Sequence, residues 1–140
     1  MSTPEPELLF VPLGGTEEIG MNFNLYGFGL PEKHLWIIID MGITFGDDLT
    51  PGVEVIVPDP GFIEEKRKNL LGIILTHGHE DHIGAIPYLW DRLRCPIFAT
   101  PFTAALLRKK LEADNKLNDC KIVEIPLQGR FQLPPFSIEF

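Results

Sequence analysis

Histidine is scarce in this chain and unevenly placed. Of four histidines in 140 residues, one is His34, the other three are His77, His79 and His82, and none follows. Cysteine is scarcer still. Cys95 and Cys120 lie in no CxxC or Cys/His spacing, which fits a reducing cytoplasm and two small, buried or half-buried side chains rather than a disulfide framework. No run of eighteen apolar residues exists, so no membrane span is expected. Basic residues are outnumbered, 12 against 20, leaving a formal net charge of −8 that counts against free nucleic-acid binding by these residues alone. The first seven residues, acidic and proline-rich, lack the basic start and apolar stretch of a secretory signal and read as a loose tail. Gly14-Gly15-Thr16 lacks the GxxxxGK[ST] pattern of a phosphate-cradling loop and reads as a tight turn between strands. There is no internal repeat.

The length allows one domain. Thirteen prolines and thirteen glycines imply many turns, which favours strands and loops over a helical bundle. Residues 8–13 and 22–28 read as two strands, the second placing Phe23 and Leu25 on an inner face. Leu35-Trp36-Ile37-Ile38-Ile39 is apolar throughout, the mark of a central strand covered on both faces. Residues 41–60 form a long connection, of the kind that is usually functional. A charged helix is expected over 62–69 and a buried strand over 71–75. A helix follows from residue 83, then a strand over 95–99. Thr100-Pro101 predicts the next helix start, with the hydroxyl capping and proline in the first turn. That helix runs through Leu106, Leu107 and Leu111 to about residue 115. Two last strands cover 121–125 and 136–140, the latter with Phe136, Ile138 and Phe140 on one face. Strands interleaved with helices imply an α/β layered fold.

One segment outranks the rest. Thr76-His77-Gly78-His79-Glu80-Asp81-His82 places three histidines and a carboxylate in a loop at the end of an apolar strand. His77 and His79, two apart, face the same way in an extended loop. Asp81 and His82 then turn the chain and can serve a second ion beside the first. Imidazole suits Zn²⁺, Mn²⁺, Fe and Cu, and a carboxylate among the imidazoles favours hydrolytic over thiolate-type chemistry. A single histidine is usually a surface or core residue, but this clustering at a strand end is that of a metal site. Upstream, Asp40 ends an apolar strand and precedes Gly42, presenting a carboxylate at the sheet edge.

His77-x-His79-x-Asp81-His82 resembles the signature of the metallo-β-lactamase superfamily. The wider run Leu75–Ala85 resembles its nucleic-acid-cutting β-CASP branch and, within that, the bacterial ribonuclease J family. Pro12-Leu13-Gly14-Gly15-Thr16-Glu17-Glu18-Ile19-Gly20-Met21-Asn22 is similar to that family's first loop. Ile37–Gly42 is similar to the strand that ends in the superfamily's early aspartate, and Val57-Pro58-Asp59 to the stretch after it. The likeness runs from Leu8 onward.

The resemblance implies the amino-terminal portion of an αβ/βα sandwich, residues 8–140, after a tail over residues 1–7. It implies two zinc ions in a complete site, with manganese as the alternative. His77 and His79 would hold one ion, Asp81 and His82 the other. Asp81 would also orient the attacking water, and Asp40 would support the ligands from behind. A third histidine, a bridging aspartate and the RNA-gripping β-CASP insert would come from later sequence. The chain is therefore expected to be inactive by itself, and to associate with the rest of its polypeptide or as a homo-oligomer. RNA would be the substrate of the complete cytoplasmic enzyme. The resemblance also leaves room for Glu18 or Asn22 to border the cleft. Rival readings are a thioester or lactam hydrolase with the same motif, and a non-catalytic scaffold subunit. Lys66-Arg67-Lys68 and Arg108-Lys109-Lys110 read as solvated helix faces before they read as RNA contacts.

Overall fold

The computed structural model describes residues 2–140; Met1, part of the expected tail, lies outside the described residues. Alternation builds the first hairpin. β1 (Glu7–Gly14) and β2 (Phe23–Gly29) run antiparallel, with Leu9 opposite Gly27 and Val11 opposite Leu25. β1 begins at Glu7, whose carboxylate meets the His34 ring at 2.9 Å. β3 (Leu35–Ile39) pairs antiparallel with β2, and its Trp36 ring lies across Gly27. A β-carbon at residue 27 would stand 2.6 Å from that ring, so only glycine fits beneath it.

The long connection after β3 is partly structured, for β4 (Thr44–Phe45) and β5 (Val55–Ile56) pair antiparallel within it. Phe45 of β4 is largely exposed. The charged helix expected over 62–69 is broken. α1 (Gly61–Glu64) ends after one turn and a 3₁₀ turn follows at Arg67–Asn69. Only Ile63 of the helical residues is buried, so no apolar stripe holds a longer helix in place.

β6 (Leu70–Ile74), α2 (Glu80–Ile83), α3 (Ile86–Leu93), β7 (Ile97–Ala99), α4 (Pro101–Ala113) and β8 (Ile122–Glu124) follow, then β9 (Arg130–Leu133) and β10 (Phe136–Glu139). The main sheet has six strands in the order β1-β2-β3-β6-β7-β8. Its β1-to-β3 half is antiparallel. From β3 to β8 the neighbours are parallel, each step needing a crossover connection, helical in the case of α2, α3 and α4. β3 sits between an antiparallel and a parallel neighbour and is buried on both faces, as its apolar run predicts.

Period-two alternation sorts side chains to two cores. On the helical face Phe23, Leu25, Trp36, Ile38 and Ile73 pack with Leu89, Trp90, Leu107 and Leu111. On the other face Ile37, Ile74, Phe98 and Ile125 pack with Phe131, Phe136, Ile138 and Phe140 of the β9–β10 hairpin. The apolar side of residues 136–140 thus lies against the sheet. The hairpin does not reach the β1–β2 end. There Leu8, Phe10 and Tyr26 remain 64%, 55% and 36% exposed, with the Phe10 and Tyr26 rings 5.2 Å apart.

α3 ends at Arg94, in the left-handed region, and the Trp90 indole donates to the Cys95 carbonyl at 2.9 Å. Burial pushes the Cys95 thiol up to about 12 and the Cys120 thiol up to about 11, so both are packing residues held protonated. Thr100 occupies the cap position of α4 ahead of Pro101, but its hydroxyl makes no capping bond. Leu107 and Leu111 of α4 are buried, whereas Leu106, expected beside them, is turned outward over Gly78.

Candidate metal centre

β6 brings the chain through buried Leu75 to Thr76, where it leaves the sheet. His79 is extended, and its carbonyl accepts the backbone N–H of His82 at 2.9 Å and of Ile83 at 3.0 Å. That starts α2, a single turn carrying Asp81 and His82. The motif is therefore loop, then one helical turn, and His77 and His82 come together although four residues separate them. Their ring centroids are 4.0 Å apart.

Two upstream segments clasp this turn. The Met41 N–H donates to the His82 carbonyl at 2.8 Å, and the Ile43 N–H to the Glu80 carbonyl at 3.0 Å. Gly42 lies directly against the turn, so close that a β-carbon would stand 1.7 Å from the Asp81 carbonyl oxygen. No other residue fits there. Asn22 donates both its backbone N–H, at 3.0 Å, and its side-chain amide, at 3.1 Å, to that same carbonyl. Its amide nitrogen also lies 3.3 Å from His82 Nε2. Of the two loop residues expected to border the cleft, Asn22 reaches the motif. Glu18 instead accepts the Gly15 N–H within its own loop.

Asp40 is 4% exposed, and its carboxylate is satisfied from three sides. Oδ1 accepts the Thr76 N–H at 2.8 Å, and Oδ2 accepts the Thr76 hydroxyl and His82 Nδ1, each at 2.7 Å. With Nδ1 committed to Asp40, His82 presents Nε2 outward, 3.5 Å from Asp81 Oδ2. Ligand atoms of His77, Asp81 and His82 all lie within 4.8 Å of one another. His79 stands outside that trio, exposed, with its ring edge-on to His77 at 4.7 Å. His34 is elsewhere, held by Glu7 and packed near Trp36.

Two imidazoles and a carboxylate converging, with one imidazole oriented by a buried carboxylate, is donor chemistry that fits a divalent ion. Sequence reasoning missed two neighbours. Thr76 adjoins the motif and bonds Asp40, a role its position alone does not signal. Lys110 of α4 pairs with Glu80, and only the packing of α4 brings them together. A cavity of ≈ 440 Å³ between motif and α4 is lined by Gly78, Glu80, Leu106 and Lys110, among others, but by none of the four candidate ligands.

Residues 32–130 match the family model described as the metallo-beta-lactamase superfamily. The chain belongs to the metallo-β-lactamase superfamily. Its sequence is 44% identical over 135 residues to ribonuclease J of Sinorhizobium meliloti, covering 96% of this chain and 24% of that relative. It is 37% identical over 138 residues to ribonuclease J of Corynebacterium glutamicum, covering 98% of this chain and 18% of that one. The chain thus spans about a quarter or less of the length of these curated relatives. The metallo-β-lactamase fold protein YhfI from Bacillus subtilis superposes with a TM-score of 0.56 at 18% identity, over 95% of this chain and 52% of that one. The fold is therefore part of a metallo-β-lactamase domain, a fold that implies divalent metal binding.

Proposed function

We propose that these residues supply the first ligand cluster of a divalent-metal-dependent RNA phosphodiesterase of the ribonuclease J kind. In that reading they form the amino-terminal part of its metallo-β-lactamase domain, residues 8–140. The observation that carries the reading is the convergence of His77, Asp81 and His82 behind a buried Asp40, in a chain similar to ribonucleases J along nearly its whole length. Zinc fits the donor set best, with manganese as the alternative.

His77 and His79 would hold one ion and Asp81 and His82 the other, with the turn of α2 and the Asn22 and Gly42 contacts keeping Asp81 and His82 in register. Bound divalent ions supply Lewis acidity at the phosphoryl oxygens and lower the pKa of an attacking water. Asp81, half-exposed at the mouth of the cluster, would orient that water by accepting its hydrogen bond. Further ligands and the RNA-gripping surface would come from elsewhere in the longer protein, where two divalent charges would also offset about half of the formal −8.

The test is RNA cleavage by the complete protein, with the 140-residue chain assayed beside it. Asp81→Ala in the complete protein should lower turnover by about 10³-fold or more while circular dichroism stays unchanged. In this reading the remaining ligands lie elsewhere in the longer protein, so the 140-residue chain assayed alone should show no cleavage. Near-normal turnover by folded Asp81→Ala protein would remove Asp81 from this mechanism.

A further inference from the structure

The hydroxyl of Thr76 stands between Asp40 and His77, with Oγ1 2.7 Å from Asp40 Oδ2 and 3.1 Å from His77 Nδ1. A hydroxyl has one proton to give, and an ionised carboxylate can only accept. The Thr76 proton therefore goes to Asp40, and toward His77 the oxygen can only accept. His77 must then carry its own hydrogen on Nδ1, which leaves the lone pair on Nε2. The same Asp40 oxygen takes Nδ1–H of His82 at 2.7 Å, so that ring is set the same way. One carboxylate orients two imidazoles whose centroids are 4.0 Å apart, His82 directly and His77 through an intermediary.

We propose that Thr76 is a positioning residue whose hydroxyl relays the hold of Asp40 to His77, keeping His77 Nε2 free for a divalent cation. The inference deepens the metal reading above and rests on it for the last step only. Its geometric part concerns the metal-free chain. Valine matches threonine in shape and lacks the hydroxyl, so Thr76→Val removes the relay and keeps the backbone N–H bond to Asp40 Oδ1. Serine keeps both.

Long-range ¹H–¹⁵N correlation spectra of the metal-free 140-residue chain, at a pH where the rings are neutral, show which ring nitrogen carries hydrogen. Expected are Nδ1–H forms for both His77 and His82 in the wild type. In Thr76→Val, His77 should move toward the Nε2–H form while His82 stays, and Thr76→Ser should restore the wild-type pattern. Zn²⁺ affinity, measured by competition with a chromophoric chelator, should fall about tenfold in Thr76→Val and recover in Thr76→Ser. A wild-type His77 protonated on Nε2, or a His77 pattern unmoved by Thr76→Val, overturns the proposal. If the valine variant does not fold, the wild-type tautomer and Thr76→Ala decide. A wild type with both rings in the Nδ1–H form but no Zn²⁺ binding by the complete protein leaves the relay standing and removes the metal reading.

Discussion

Asp40 sits at φ 66°, in the left-handed region that aspartate and asparagine enter more readily than most residues, and its carboxylate accepts three hydrogen bonds. That backbone costs about 1–2 kcal/mol for a residue with a side chain, and glycine would avoid the cost. Glycine would also leave the Thr76 N–H, the Thr76 hydroxyl and His82 Nδ1 without an acceptor, so the side chain outweighs the strain. Asp40→Asn isolates the electrostatics. The amide is nearly the same shape but turns one acceptor into a donor, which then faces a donor. We expect a stability loss of about 1–3 kcal/mol by urea denaturation. The same variant should bind Zn²⁺ about 10- to 100-fold more weakly. Unchanged values of both would show that Asp40 is an ordinary turn residue.

At the scale of elements, α4 shows which of two signals at a helix start matters here. Thr100 and Pro101 both mark the start, and the helix does begin at Pro101, but the hydroxyl makes no capping bond. The helix is held instead by Ala104, Leu107 and Leu111 against the sheet, and by Arg108 and Lys110 paired with Glu124 and Glu80. Thr100→Ala should therefore shift unfolding by less than about 0.5 kcal/mol, where a bonded cap would cost about 1 kcal/mol. Leu107→Ala should cost about 2–5 kcal/mol, because it opens a cavity in a fully buried position. A large effect at Thr100 would mean that the cap bond forms in solution.

For the whole molecule, the uneven cover on the sheet sets the behaviour. Helices pack against one face, while the β9–β10 hairpin covers only part of the other. Leu8 and Phe10 of β1 and Tyr26 of β2 stay exposed, and β1 is also an edge strand. Exposed apolar surface next to an unpaired edge is a recognised association site. The 140-residue chain should bind an apolar dye and show a concentration-dependent mass by light scattering, in line with the proposed homo-oligomer. Phe10→Ser with Tyr26→Ser should reduce both signals. A monomer at every concentration, with no dye binding, would show that this face needs no cover.

Much of the fold was legible in the sequence, and for specific reasons. The apolar run 35–39 marks a central strand because a strand covered on both faces has no polar side to show. The alternation at Phe23 and Leu25 marks the inner face because successive side chains point oppositely. The histidine and aspartate cluster was legible because its residues are close in the chain. What the sequence could not supply is contact between distant segments. Gly42 pressed against the Asp81 carbonyl, Thr76 on Asp40, and Lys110 on Glu80 each join residues whose order in the chain carries no trace of the meeting. The break after α1 and the uncapped Thr100 belong there too, because local propensity is weak beside the burial of side chains in a common core. Donor chemistry is a property of residue types, and the chain alone determined it. Which donors converge, and which hydrogen bonds hold them, was decided by packing.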